Sequence, residues 1–363
     1  MNLEELATIA KSIVASGKGI LAADESSGTI KRRFDTINVE STEENRLSYR
    51  EMLFRTKGAS EFISGVILYD ETLRQRSGID GTPIVQVLQD QGIIPGIKVD
   101  KSTNSLSGSN GELITDGLDG LRDRLKEYYE LGARFTKWRA VITIGADIPS
   151  SYCIATNAHL LARFAKLSQE ANLVPIVEPE VLMDGDHSID RCFDVTEATL
   201  REVFYQLGQQ GVNLEGTLLK PNMVLSGKDA STRASSEEVA EKTIACFKRT
   251  VPAAIPGVVF LSGGQSDEEA TVNLNAINQM AKTVGVPWEM SFSYGRGLQA
   301  APLKAWNGQA ANIEKAQEAY VEAYEQLLMC KQLGLDSVLV NHPAELWHDG
   351  DAHSALALQG YYL

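Results

Sequence analysis

Short, apolar, β-prone segments alternate with helical ones along this chain eight times over, and that alternation most narrows its possible folds. The strand-like segments are Ile20-Leu21-Ala22-Ala23, Phe62 to Leu68, Gly96-Ile97-Lys98-Val99-Asp100, Arg134 to Ile142, Leu173 to Val177, Thr217 to Leu219, Val258-Val259-Phe260-Leu261 and Trp288 to Phe292. Helical spacing runs through Leu3, Leu6, Ala7, Ala10, Ile13 and Val14, with Gly17 closing that helix. Ser41-x-x-Glu44 and Ser266-x-x-Glu269 read as capping boxes that open two more helices. Others are expected over Leu118 to Tyr128, Ile154 to Phe164, Val195 to Leu207 and Glu237 to Phe247. Glu25-Ser26-Ser27-Gly28-Thr29 reads as a small-residue loop, and a Pro- and Gly-marked stretch follows Leu68. Eight such units predict a closed parallel (β/α)8 barrel of the TIM type with an outer ring of helices. A doubly wound open sheet is the alternative, but the even pacing favours closure.

A barrel needs about 250 residues, and the chain has 363. The excess is assigned to the N-terminal helix, the long loops, and a helix and tail after Ala311. Residues 1–363 are read as one domain, with 340–363 as a mobile C-terminal tail. The net charge of −14 and the pI near 4.9 argue against nucleic acid as the main partner. An anionic ligand would need positive charge concentrated at one place. Cys153, Cys192, Cys246 and Cys330 are far apart and form no CxxC, as expected of reduced thiols in the cytoplasm. The N-terminus carries Glu4 and Glu5 rather than a signal peptide's apolar core. No run reaches the roughly 18 apolar residues of a membrane helix.

Polar residues recur at the C-terminal ends of the strands: Asp24, Lys98, Lys137, Glu178, Lys220, Ser262 and Arg296. From Lys98 to Ser262 they are roughly forty residues apart, one strand–helix unit each. In a barrel these ends converge on one mouth, where such folds place their chemistry. Lys220 is the most telling. It follows the apolar Thr217-Leu218-Leu219, and Pro221 has no N–H to continue a sheet, so the strand should stop there. Its amine would then sit in a dry pocket rather than snorkel to water. A free lysine has a pKa near ~10.4; burial and neighbouring cations lower it, and a drop of about three units costs roughly 4 kcal/mol and frees a nucleophilic amine.

Each remaining residue has a chemical reading. Lys98, Lys137 and Arg139 would depress the Lys220 pKa and bind anions. Glu178, with Glu180 one pleat away, could stay protonated through burial and like-charge repulsion, as a general acid requires. Asp24 is a candidate base. Ser262-Gly263-Gly264 before a helix start offers N–H groups to a phosphate, and Gly295-Arg296-Gly297 offers a second such turn with a guanidinium. Ser26 and Thr29 add hydroxyls at another strand end. Two phosphate sites flanking an amine fit a doubly phosphorylated sugar.

At these residues the sequence resembles the class I, Schiff-base-forming fructose-bisphosphate aldolases. The motifs are Gly19-Ile20-Leu21-Ala22-Ala23-Asp24-Glu25-Ser26, Gly96-Ile97-Lys98-Val99-Asp100-Lys101, Lys137-Trp138-Arg139, Pro175-Ile176-Val177-Glu178-Pro179-Glu180, Leu214-Glu215-Gly216-Thr217-Leu218-Leu219-Lys220-Pro221-Asn222-Met223, Leu261-Ser262-Gly263-Gly264-Gln265-Ser266 and Ser293-Tyr294-Gly295-Arg296. The resemblance implies reversible cleavage of fructose 1,6-bisphosphate to dihydroxyacetone phosphate and glyceraldehyde 3-phosphate, without metal or cofactor. It implies Lys220 as the Schiff-base lysine, Glu178 and Asp24 in proton transfer, and Lys137 and Arg139 beside the reacting carbon. One phosphate is expected on Ser262, Gly263, Gly295 and Arg296, the other near Ser26, Thr29 and Lys98. It also implies a homo-oligomer, a tetramer. Members of that family typically end in a tyrosine that assists proton transfer; this chain ends Tyr361-Tyr362-Leu363, leaving both tyrosines as candidates.

Other readings explain less. Asp184-Gly185-Asp186-His187 has the donors of a Zn²⁺ or Ca²⁺ loop but no second histidine cluster. Glu178 with Glu180 as a glycosidase pair leaves the lysines unused. A transaldolase-like enzyme would share the barrel and the lysine without this motif set. A noncatalytic scaffold would have no need of the lysine, the acids and the phosphate turns together.

Overall fold

The structure, a computed structural model, describes residues 1–333, with side chains described as far as Glu325. Eight parallel strands close into a barrel, and helices fill the connections between them. Helix α1 (Leu3–Ile13) precedes β1 (Gly19–Ala23), and α2 (Ser27–Asp35), α3 (Glu43–Phe54) and α4 (Ala59–Phe62) lead to β2 (Ile63–Leu68). Helices α5 (Asp70–Arg74) and α6 (Ile84–Gln89) occupy the Pro- and Gly-marked stretch before β3 (Ile94–Lys98). A two-stranded antiparallel hairpin, β4 (Thr103–Ser105) and β5 (Leu113–Thr115), stands outside the barrel before α7 (Leu121–Glu130) and β6 (Phe135–Ile142). Then come α8 (Ser151–Glu170), β7 (Val174–Val181), α9 (Ile189–Gln209), β8 (Leu218–Leu219), α10 (Ser236–Thr250), β9 (Gly257–Phe260), α11 (Asp267–Val284) and β10 (Glu289–Tyr294). Helix α12 (Arg296–Trp306), a 3-10 turn (Ala310–Asn312) and α13 (Ile313–Leu333) complete the described chain. Around the barrel the strands run β1, β10, β9, β8, β7, β6, β3, β2.

The two-residue period of each strand sorts its side chains into two cores. Ile20, Ala22, Ile67, Phe135, Val174, Ile176, Leu218 and Val259 pack inside the barrel with Leu6, Ala10, Ile13 and Val14 of α1, so α1 closes the N-terminal end. Leu21, Ala23, Ile97, Trp138, Val177, Leu219, Val258 and Phe260 face outward and pack with the surrounding helices. Helices α8, α9, α10 and α11 each begin at a serine (Ser150, Ser188, Ser235, Ser266) whose hydroxyl accepts a backbone N–H in the first turn.

Several boundaries differ from the sequence reading. Ser27 to Asp35 is helical, with Ser26 at its N-cap, so the presumed loop is a helix start. Helix α3 is capped by Thr42, whose hydroxyl accepts from Asn45 N–H, rather than by Ser41. Strand β7 runs on through Glu178-Pro179-Glu180 to Val181. The carbonyl of Val177 accepts from Lys220 N–H at 2.8 Å, so odd positions of β7 face β8. Pro179 therefore faces a neighbour that has already ended, and no ladder hydrogen bond is lost. Helix α13 lies where a helix was expected after Ala311; the expected tail at 340–363 lies outside the described residues.

The barrel floor depends on two glycines. The Phe135 ring lies inside the barrel against Gly96 of the neighbouring strand β3 and Gly65 of β2, the strand beyond it; a Cβ on Gly96 would sit 2.2 Å from that ring. Gly96→Ala should therefore overpack the floor and cost about 1–3 kcal/mol, read as a lower midpoint in urea unfolding. Adding Phe135→Leu should recover part of the loss, which a purely local backbone effect at Gly96 would not allow.

Candidate active site

The end of β8 positions the central lysine. Lys220 keeps one ladder bond, its N–H to Val177, while the carbonyl of Pro221 accepts from Leu261 N–H at 3.1 Å. The inward face of β8 carries Leu218 and then Lys220, one pleat higher. By the same alternation β1 presents Asp24 above Ala22, β6 presents Lys137 above Phe135, and β7 presents Glu178 above Ile176. Lys137, Glu178 and Lys220 are 3–4% exposed.

These four side chains form one chain of charge. Asp24 Oδ2 lies 2.7 Å from Lys137 Nζ. Lys137 Nζ lies 3.1 Å from Glu178 Oε2, and Glu178 Oε1 lies 3.1 Å from Lys220 Nζ. Glu178 Oε2 makes no directional hydrogen bond, so its contact with Lys137 is one of charge, and an acceptor position stays available. The cluster holds two cations and two anions, which is what allows four ionic groups to be buried together.

The surroundings set the protonation of the acids. Burial works to raise the Asp24 pKa, but Lys137, Lys220 and Lys98 together overcome it and hold the carboxyl at about 2. Burial also works to raise Glu178; the cations Lys137, Lys220 and Arg139 outweigh it, and its pKa lies below the ordinary value. This corrects the expectation that Glu178 rests protonated through repulsion from Glu180. Glu180 is paired to Arg139, so its charge is already answered. Lys137 is held charged: burial opposes this, but Asp24, Glu178 and Asp100 prevail.

Of the remaining candidates, Arg139 lies one pleat further toward the rim, with a side chain 42% exposed. Lys98 is not joined to the four-residue cluster; it is half-buried, pairs with the Asp100 carboxylate and donates to the Asp100 carbonyl at 2.9 Å. Ser26 is the N-cap of α2 and Thr29 lies in its first turn, their hydroxyls 3.2 Å apart. Ser262, Gly263 and Gly264 follow β9, with Gly263 and Gly264 at φ 59° and 92°, in the left-handed region that favours glycine. Gly295 precedes Arg296, the first residue of α12, and the Arg296 guanidinium donates to the Gln265 carbonyl at 2.7 Å, which joins the β9 and β10 loops. The starts of α2 and α12 and the Ser262–Gly264 turn thus follow β1, β10 and β9, three consecutive strands of the barrel.

Two features escaped the sequence reading. One is the outward-facing Glu25, which binds Arg33 and Gln299; alternation after Asp24 predicts its direction but not its partners. The other is Ser293, buried on the inner face of β10 with an unpaired hydroxyl. In the Asp184–His187 loop, Asp184 pairs with Lys228 at 2.5 Å, and among the described residues no three of His, Cys, Asp and Glu gather as a metal site. Cys153, Cys192 and Cys246 are free and buried.

A buried lysine held by a carboxylate at the C-terminal mouth of a parallel barrel that also carries the starts of α2 and α12 is an arrangement suited to amine catalysis on a phosphorylated carbonyl compound. The family model for fructose-bisphosphate aldolase class-I matches residues 5–331. The probable fructose-bisphosphate aldolase class 1 of Xanthomonas campestris pv. campestris is 57% identical over 323 residues, covering 89% of this chain and 96% of that protein. A cytosolic fructose-bisphosphate aldolase of Arabidopsis thaliana is 51% identical over 358 residues, covering 99% and 97%. The crystal structure of the fructose-bisphosphate aldolase from Plasmodium falciparum superposes with a TM-score of 0.88 at 51% identity, covering 91% of this chain and 94% of that one. The chain belongs to the class I fructose-bisphosphate aldolases, lyases of glycolysis that work through a lysine Schiff base and without a metal ion.

The depressed Asp24 pKa has a consequence for stability. A carboxyl at about 2 in the folded protein and near ~3.9 unfolded contributes on the order of 2–3 kcal/mol above pH ~4, lost progressively as pH falls toward 2. The sign follows because the unfolded chain takes up the proton first. Stability against urea should therefore fall between pH 5 and pH 2.5 more steeply in the unmodified chain than in Asp24→Asn, which has no proton to take up there. Parallel slopes would show that the pairing with Lys137 contributes nothing.

Proposed function

We propose that this chain interconverts fructose 1,6-bisphosphate with dihydroxyacetone phosphate and glyceraldehyde 3-phosphate, with Lys220 as the nucleophile and Glu178 as its proton partner. The observation that carries the reading is the 3.1 Å pairing of Lys220 with Glu178 at the barrel mouth, backed by Lys137. One proton is shared by that pair. Moving it from Lys220 to Glu178 yields a neutral amine and a carboxylic acid together, the two species that imine formation requires. The amine attacks the C2 ketone to give a carbinolamine; Glu178 protonates the departing hydroxyl, water leaves, and an iminium remains. The iminium draws electrons from the C3–C4 bond as a base takes the C4 hydroxyl proton, and the aldehyde is released. The enamine is then protonated and hydrolysed from Lys220. Glu178, ionised again after dehydration, adjoins Lys220, whereas Asp24 is in contact with Lys137; this favours Glu178 as the cleavage base and Asp24 as the group that holds Lys137 charged and aimed. Glu180 in turn anchors Arg139.

For the phosphates, the N–H groups of Ser262 and Gly263 with Gly295 and Arg296 form one cradle, and Ser26, Thr29 and Lys98 form the other. The relatives named cytosolic support a cytoplasmic location. The family supports a homo-oligomer, a tetramer, which sedimentation of the purified chain measures. Residues 1–363 are taken as one domain with 340–363 as its tail. Tyr361 and Tyr362 lie outside the described residues; a role for them in enamine protonation would appear as slower turnover, with cleavage intact, on deletion of 361–363.

Arg296→Ala should raise KM for the bisphosphate by about 10–100-fold, since a guanidinium grips phosphate through charge-assisted hydrogen bonds. It should leave kcat/KM for an unphosphorylated ketose nearly unchanged. Equal losses on both substrates would assign Arg296 to the structure of the β9–β10 loops instead.

The mechanism is tested by trapping. Borohydride with dihydroxyacetone phosphate should fix a secondary amine on the peptide that contains Lys220. Lys220→Ala and Lys220→Arg should both abolish adduct and turnover. An adduct on Lys98 or Lys137 in the unmodified chain would reassign the nucleophile, and turnover without any adduct would overturn the mechanism.

A further inference from the structure

Outside the barrel, behind Asp24, a second cluster of buried charge grips the end of β1. Arg50, in the middle of α3, is 1% exposed. Its Nη2 donates to the carbonyl of Glu25 at 2.8 Å, and its Nη1 donates to Thr72 Oγ1 of α5 at 2.7 Å. The same guanidinium lies 3.8 Å from Glu25 Oε2 and 3.5 Å from Glu71. Glu25 Oε1 accepts from Arg33 of α2 and from Gln299 Nε2 of α12, the latter at 2.7 Å. Gln299 Nε2 also donates to the carbonyl of Ala22 at 2.8 Å. The backbone is therefore held at Ala22 and at Glu25, on both sides of Asp24, by side chains from two helices, α12 and α3, while Arg33 of α2 holds the Glu25 carboxylate.

A buried guanidinium is costly to keep, and Arg50 occupies its place with two partners that only a forked donor reaches at once. An apolar residue would fill the same space between α3 and the barrel. What the fork adds is a fixed position for the peptide that follows Asp24. The Asp24 carboxylate must lie within pairing distance of Lys137 to hold that ammonium over the reacting carbon, and misplacement by about 1 Å at such a site can cost about 100-fold in rate.

We propose that Arg50 is a positioning residue of the active site: from outside the barrel it clamps the Glu25 carbonyl, so that the Asp24 carboxylate stays against Lys137. This rests on the role given above to Asp24 and Lys137. Arg50 touches no substrate and takes no proton.

The test is a double-mutant cycle. Arg50→Lys keeps the charge but loses the fork. It should fold, as judged by circular dichroism, and lower kcat by about 10–100-fold with KM changed less than about twofold. Borohydride trapping at Lys220 should persist, because Lys220 and Glu178 stay in place. In an Asp24→Asn background the same substitution should cost less than about a further twofold, since the group it positions is already gone. Thr72→Val, which removes one arm's partner with little change of shape, should shift kcat in the same direction by a smaller factor; it carries the test if Arg50→Lys does not fold. Full kcat in folded Arg50→Lys, or the full loss repeated on Asp24→Asn, would overturn the clamp while leaving Asp24 its role. Wild-type kcat in Asp24→Asn would instead overturn the role of Asp24, and the clamp's catalytic effect with it.

Discussion

The mutual neutralisation of Asp24, Lys137, Glu178 and Lys220 is the constraint on which the rest of this structure depends. Four ionisable groups in one dry space are tolerable only while their charges cancel and their separations stay near those seen, 2.7 to 3.1 Å. Truncating one member of such a set leaves another buried and unanswered, which typically costs 3–5 kcal/mol. Each member comes from a different strand, so barrel closure and strand register are what bring the set together. A slip of one residue in β6 or β7 would turn Lys137 or Glu178 outward among the helices.

The floor and the mouth of the barrel answer to the same alternation. Inward positions low in the strands are mostly apolar or glycine, and α1 seals them from below. One pleat higher, β1, β6, β7 and β8 present the ionic Asp24, Lys137, Glu178 and Lys220. Strand geometry thus divides the interior into a layer that stabilises and a layer that reacts, with Phe135 and Lys137 in each role on a single strand. The helices outside serve both layers: they cover the outward apolar faces, and through α2, α3 and α12 they hold the end of β1 where its charge is needed.

Much of this could be read in the sequence because it follows from local pattern. The eight strands announce themselves by short apolar runs, and Lys220-Pro221 marks a strand end by the missing N–H of proline. The alternation Lys137–Arg139 and Glu178–Glu180 gives the faces. What could not be read depends on partners distant in sequence. Glu178 looked like an acid kept neutral by Glu180 because Arg139, on the neighbouring strand, could not be known to answer Glu180. Local pattern marks the fifth strand only from Leu173 to Val177, because the early end of β8, which lets Pro179 sit in a strand without losing a ladder bond, is a tertiary fact. Ser26 to Thr29 looked like a loop because small residues and Gly28 have poor helix propensity, which burial of Ile30 and Phe34 overrides. Arg50 carried no signal at all, since a single arginine within a polar helix gives no hint that it is buried.

The charge balance also bears on how the proposed chemistry proceeds. On the proposed roles, the resting site pairs the Lys220 ammonium with the Glu178 carboxylate. After proton transfer both are neutral, and the sum is unchanged. When water departs, the iminium nitrogen carries the positive charge at nearly the same place, and Glu178 is again the anion beside it. On these roles the cluster passes from ammonium to iminium without a net charge being created or moved far. Creating one in such a medium would be the expensive step. Lys137 and Asp24 hold the remaining pair fixed while this happens, so their contribution is a constant field and not a transferred proton. A site of this composition suits amine catalysis because its iminium intermediate replaces the charge that the folded protein was already built to hold.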